Sequence, residues 1–325
     1  MARVHLVPLT SFDEILGLWT RVLLEEPIGT EADTTTQVFW LQTRTLFADI
    51  RIPVPNKISG SAAAAAGRLY EQIARQKGFA GVTAITPADT DNGTPGQITW
   101  NRTIDYQPPT GMADVGYASF TTQTKDTLIE YGLEGDDYKE IWKRVDCSAE
   151  GLANQHMLAM TLESEAIASK SNDETFVNQP SVQGILVGAG DRFISCVDSP
   201  RQAALSQNNA PLTFSTAAAF LEAARNTTTA TLGDSTTLGN LESSRAALFG
   251  VDIALFSSRR LLLSTRADST LPTEELFLEM VGTFKLVDDS TVVQSLTTQA
   301  GERIRRIWRV QENSYPQFPL STLSP

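Results

Sequence analysis

The sequence predicts a mostly β protein, an antiparallel barrel or sandwich accompanied by a few helices, and three observations carry that reading. Seven or eight short strand signals follow one another at near-regular spacing between Val38 and Val197, the pattern of antiparallel strands joined by turns. The stretch 38–53, VFWLQTRTLFADIRIP, is the clearest of them, dense in aromatic and β-branched residues. Strand signals then return after a change of composition, at 244–256, 260–264, 277–287, 292–298 and 302–311.

Each element follows from its local pattern. Residues 11–24 space their apolar side chains as a helix does, with Ser11 as the cap and Asp13 and Glu14 in the first turn. Read as one strand, 38–53 puts Trp40 and Gln42 on one face and Phe47, Asp49 and Arg51 on the other. Neither face is purely polar, so that strand is covered on both sides or bends. The Ala-rich run 59–77, ending at Gly78, reads as a helix, and 79–85 as a strand followed by the turn-forming PADTDNGTPG. Further strands fall at 97–106, 138–145, 156–164 and 184–197, with a hairpin at 115–122 and 127–131. From 200 to 237 the chain is rich in Ala, Thr, Asn and Ser, with one helix at 216–225; this is a linker or insertion. The domain reading is therefore a first barrel over 1–199, the linker over 200–237, and a second, smaller unit over 238–325.

Composition narrows the function. A chain of 325 residues with 41% hydrophobic content can bury one large core or two ordinary ones. No run approaches the roughly 18 apolar residues of a membrane helix, so the expectation is a cytoplasmic protein without membrane insertion. A net charge of -12 opposes binding to a phosphate backbone, and nucleic acid is set aside as a partner. Cys147 and Cys196 read as reduced core thiols. With His5 and His156 as the sole histidines, and no P-loop, nucleophile elbow or dinucleotide fingerprint, neither a metal nor a nucleotide cofactor is expected.

The polar residues that stand out are those interleaved with tryptophan. Trp100 with Arg102, and Trp142 with Arg144, each share a face of their strand, and Trp40 with Gln42 and Arg44 repeats the arrangement. A guanidinium over an indole gains roughly 0.5–2 kcal/mol, and such a pair closes one end of many small barrels. Carboxylates accompany them: Glu140 on the face of Trp142 and Arg144, Asp49 beside Arg51, and Asp105 on the opposite parity to Trp100 and Arg102. Acids entering one apolar cavity have their pKa values split by burial and by neighbouring arginines, giving an acid and a base. The catalytic candidates are therefore Asp49, Arg51, Asp105 and Glu140, with Trp40, Phe47, Trp100, Arg102, Trp142 and Arg144 lining the substrate. Ion pairs that simply hold strands together are the competing reading.

At these strands the sequence resembles a family of fungal proteins named for interaction with a yeast casein kinase. The residues that carry the likeness are FWLQTRTLFADIRIP, TWNRTID at 99–105, YKEIWKRVD at 138–146, GILVGAGDRFI at 184–194 and RIWRVQE at 306–312. The resemblance implies two lipocalin-like (calycin) barrels in tandem and brings no catalytic residues to carry over. The N-terminal segment, the Ala-rich run and 200–237 are additions, able to cover a barrel mouth. The expected function is cofactor-independent acid–base catalysis (lyase, hydratase, isomerase or cyclase) on a hydrophobic small molecule in the first barrel. A non-catalytic binding protein and a protein–protein adaptor are the alternatives, and a homodimer is compatible with all three.

Overall fold

The computed structural model describes residues 6–54, 62–107, 114–121, 123–133, 136–145, 155–168, 175–179, 182–199, 214, 216–229, 235–257, 260–266 and 273–322. Cys147 lies outside them.

The first unit is a closed barrel. After a short β1 (Val7–Pro8) and a 3-10 turn (Phe12–Ile15) come β2 (Gly17–Glu25), β3 (Gln37–Gln42), β4 (Phe47–Ile52), helix α1 (Ala62–Arg75), β5 (Lys77–Thr86) and β6 (Gly96–Asp105). β7 (Asp114–Phe120), β8 (Thr127–Gly132) and β9 (Lys139–Arg144) complete it. Neighbours pair in the order β7-β6-β5-β4-β3-β2-β9-β8, and β8 pairs with β7 to close an eight-stranded antiparallel ring; β1 adds to the outside edge of β7.

Two expected elements take a different form here. Residues 11–24 form one 3-10 turn and then β2 rather than a helix. Leu18 packs outward and Trp19 inward, and a strand buried on both faces mimics helical spacing. The stretch 38–53 is a hairpin, not one strand. Thr43 closes it: its backbone N–H and its hydroxyl both donate to Leu46 O at 2.9 Å, and its Oγ1 accepts from the Leu46 N–H at 3.1 Å. Reversal of the chain puts Trp40 opposite Asp49 and Gln42 opposite Phe47, so residues that a single strand would separate share the inward face.

The second unit is a curled, open sheet. It contains β10 (Met157–Ala168), β11 (Val177–Gln179), β12 (Gly184–Ala189), β13 (Arg192–Val197), β14 (Asp252–Ser257), β15 (Arg260–Ser264), β16 (Thr283–Asp288), β17 (Thr291–Thr297) and β18 (Arg303–Asn313). Their order is β15-β14-β13-β12-β10-β18-β17-β16, with β11 on β10. The strands from Met157 to Val197, expected in the first barrel, thus pair within the second sheet, and the two sheets divide between Arg144 and Met157. Helices α2 (Ala217–Thr229), α3 (Ser235–Phe249) and α4 (Thr273–Met280) complete the fold. α3 and α4 occupy parts of 244–256 and 277–287, which read as strand; dense apolar runs suit a buried helix and a buried strand alike.

Three apolar clusters hold these layers together. One fills the first barrel around Trp19, Trp40, Trp100 and Trp142. A second fills the concave side of the open sheet around Trp308, Phe193 and Phe277. The third joins the units: Leu41, Ala48, Ile50 and Ile52 from the barrel meet Ile185, Val187, Ile194, Cys196, Ile253 and Leu255 from the sheet, with α1, α2 and α3 packed alongside.

Candidate functional site

Inside the first barrel the side chains lie in tiers. At one end Arg144 stacks on Trp19, 4.1 Å from its ring centre, and donates to the carbonyls of Leu16, Glu14 and Lys125. Above this closed end, Trp19 stacks on Trp40 with ring centres 6.0 Å apart, and Trp40 meets Trp100 and Trp142 edge-on at 5.8 and 5.9 Å. Phe47, Phe79 and Phe120 fill the remaining space. The Trp40 indole N–H is buried and finds no acceptor among the described residues.

Above the indoles lies a tier of charge. Arg21 Nη1 binds Glu140 Oε1 at 2.6 Å and its Nη2 binds Asp33 at 3.1 Å. Arg51 Nε binds Asp49 at 2.9 Å and its Nη1 reaches the same Glu140 oxygen at 3.4 Å. Arg102 pairs with Asp105 at 3.0 Å and with Asp114. Two of these guanidinium groups lie over the Phe79 ring, Arg102 at 3.7 Å and Arg51 at 5.1 Å from its centre. Asp105 joins this tier because β6 bulges against β5, between Ala80 and Gly81. One extra residue restores it to the inward side despite its parity in the sequence.

The tier forms the floor and walls of a cavity of about 500 Å³, whose lining includes Arg21, Arg51, Trp100, Arg102, Glu130 and Glu140. Lys77, Asp33, Asp114 and Tyr138 also face it. The expected hydrophobic guest therefore meets a mouth dominated by charge, because aromatic rings already occupy the apolar depth of the barrel. Of the sequence candidates, Arg51, Glu140, Trp100 and Arg102 line this cavity. Asp49 and Asp105 stand behind it as ion-pair partners. Trp40, Phe47 and Trp142 lie buried among the rings beneath, and Arg144 caps the far end.

Glu130 stands out among the carboxyls that line this cavity. It sits on β8 directly opposite Glu140 on β9, a juxtaposition of like charges that sheets avoid. Its Oε1 accepts from the Tyr138 hydroxyl at 2.7 Å and its Oε2 from the Trp142 indole N–H at 3.1 Å. Burial first, and the negative charge of Glu140 second, push its pKa well above the ordinary 4.5. Burial also raises Asp49, against the opposing pull of Arg51. Gly116 on β7 makes room for this carboxyl: a Cβ there would stand 2.6 Å from Glu130 Oε1.

A family model described as Protein HRI1 matches residues 18–201, more than half of the chain. The chain belongs to the HRI1 family. No curated protein and no solved structure matches it. The HRI1 match runs from β2 to β13 and so includes the whole charged tier, whereas RIWRVQE at 306–312, part of the resemblance in the sequence, lies beyond it.

Sequence reasoning passed over Arg21, Glu130, Asp114 and Lys77 in this HRI1-family chain. Arg21 carried a usable signal, since Trp19-x-Arg21 repeats the Trp-x-Arg spacing noted at Trp100 and Trp142; reading 11–24 as a helix concealed it. Glu130 carried none, because only the pairing of β8 with β9 shows that it opposes Glu140.

Proposed function

We propose that the first barrel is a cofactor-independent acid–base catalyst acting on a small polar molecule held in its charged mouth. The observation that carries this reading is the pairing of two opposed carboxyls of unlike character. Glu130 is buried opposite a like charge, which raises its pKa well above the ordinary 4.5, whereas Glu140 is engaged by both Arg21 and Arg51. Environments that separate two carboxyls in this way supply a proton donor beside a fixed negative charge. In the proposed step Glu130 gives its proton to a substrate carbon, the vacated negative charge is met by the Tyr138 hydroxyl and the Trp142 N–H, and the carboxylate then recovers a proton from the substrate or from water, which closes the cycle. Arg21 and Arg51 hold the Glu140 carboxylate beside it. Hydration, dehydration, isomerisation and cyclisation each need acid, base and shape, and no more.

The test is solvent labelling. Protein and a metabolite extract are incubated in D2O, and mass spectrometry follows deuterium fixed on carbon. Wild type should label at least one metabolite, and Glu130→Gln should slow that labelling at least about 100-fold. Absence of labelling by wild type, or equal rates for the variant, would reject the catalytic reading. A binding protein without turnover is the second reading; it is favoured by the acid partners that Arg21, Arg51 and Arg102 already have, since paired guanidinium groups resist recruitment to a substrate.

A further inference from the structure

Within the cavity, cations are nearly all committed. Arg21, Arg51 and Arg102 each bind two acids, and Arg75 binds Glu71 at 2.5 Å. Lys77 is different. It opens β5 directly opposite Arg51 in the β4–β5 register, which turns it to the same inward face. Among the described residues it has no ion pair and no hydrogen bond from its ammonium group. It is exposed at the barrel mouth, so a guest can reach it from solvent. Partial burial of the amine, and then the positive charge of Arg51, lower its pKa from the ordinary 10.5, with Glu26 opposing from too far away to form a contact. An ammonium group crowded by a like charge and lacking a counter-ion is stabilised by any anion placed against it.

We propose that Lys77 is the anchor for a carboxylate of the guest, so that the molecule bound in the first barrel is a small organic acid. This rests on the proposed reading of the same cavity. A carboxylate matches in charge the one cation of this lining that is uncommitted among the described residues. A phosphate dianion would call for a second one, and the arginines that could serve are held by Asp33, Asp49, Asp105, Asp114 and Glu140. The wall supplied by Trp100 suits a planar or short carbon skeleton next to that carboxylate, and Glu130 then stands within the same chamber as the skeleton's reacting atoms.

Binding is measured without turnover, by calorimetric and NMR titration of the intact chain with benzoate, pyruvate and succinate, with benzamide and inorganic phosphate as comparisons. At least one carboxylate should bind wild type and shift the Lys77 Nζ resonance, benzamide should not, and Lys77→Met should weaken binding at least about tenfold. Lys77→Arg should restore most of it. Failure of all three carboxylates to bind, equal binding by Lys77→Met, or phosphate bound through Lys77 as tightly as the carboxylates would each overturn the assignment. A wild type that binds a carboxylate yet labels no metabolite in D2O would reject the catalytic reading and leave this one standing.

Discussion

Ionising a carboxyl in a buried position opposite another carboxylate costs more than keeping its proton, and at Glu130 that cost shows up as a dependence of stability on pH. Its pKa is raised above 4.5 in the folded protein, so between 4.5 and that higher value the folded chain holds more protons than the unfolded one. Stability then falls as pH rises through the interval. Asp49, also raised, acts in the same direction. Replacing Glu130 by Gln removes the ionisation but keeps the shape. Urea titrations from pH 5 to 8 should show wild-type stability declining and Glu130→Gln declining less steeply; parallel slopes would mean that Glu130 ionises freely in the fold. Arg144 illustrates the opposite role for a charged residue. Stacked on Trp19 and satisfied by backbone carbonyls, it closes the barrel far from the charged mouth, the purpose that Trp–Arg pairs serve in many small barrels.

Among the elements, the paired strands β7, β8 and β9 set the geometry of the proposed donor. Gly116 on β7 lies against the Glu130 carboxyl, and a Cβ there would approach its Oε1, Cγ and Cδ at 2.6, 2.8 and 3.0 Å. Gly116→Ala must therefore push the carboxyl out of place while leaving the strand ladder intact. Deuterium labelling should drop roughly 10- to 100-fold with the thermal midpoint little changed, and an undiminished rate would show that Glu130 can move without consequence. The β3–β4 hairpin acts at the same scale. Its turn at Thr43–Leu46 brings Trp40 and Asp49 onto one face, which is why indole and carboxylate meet inside the barrel at all.

For the molecule as a whole, the barrel and the open sheet share an apolar layer, with Ile50 and Val187 fully buried in it. Removing either unit would expose that layer to water, so the two should unfold as one. Four of the five tryptophans belong to the barrel and Trp308 to the open sheet. Tryptophan fluorescence therefore reports mainly on the first unit, while circular dichroism reports on both. The two transitions should coincide in urea. Ile50→Ala should lower the stability of both together by about 2–5 kcal/mol. Separate midpoints for the two signals would show that the units are independent.

What the sequence determined by itself was the local content: the short strands, the Trp-x-Arg spacing, and the acids at Asp49, Asp105 and Glu140 that accompany it. These follow from side-chain alternation, which a strand writes directly into its order of residues. Tertiary structure decided which of those groups meet. The turn at Thr43–Leu46 reverses parity, the bulge in β6 reverses it again for Asp105, and the β8–β9 register sets Glu130 against Glu140. Pairing across strands joins residues distant in sequence, and neither composition nor local period records it; that is why the place of Glu130 opposite Glu140 was silent in the sequence and is plain in the fold.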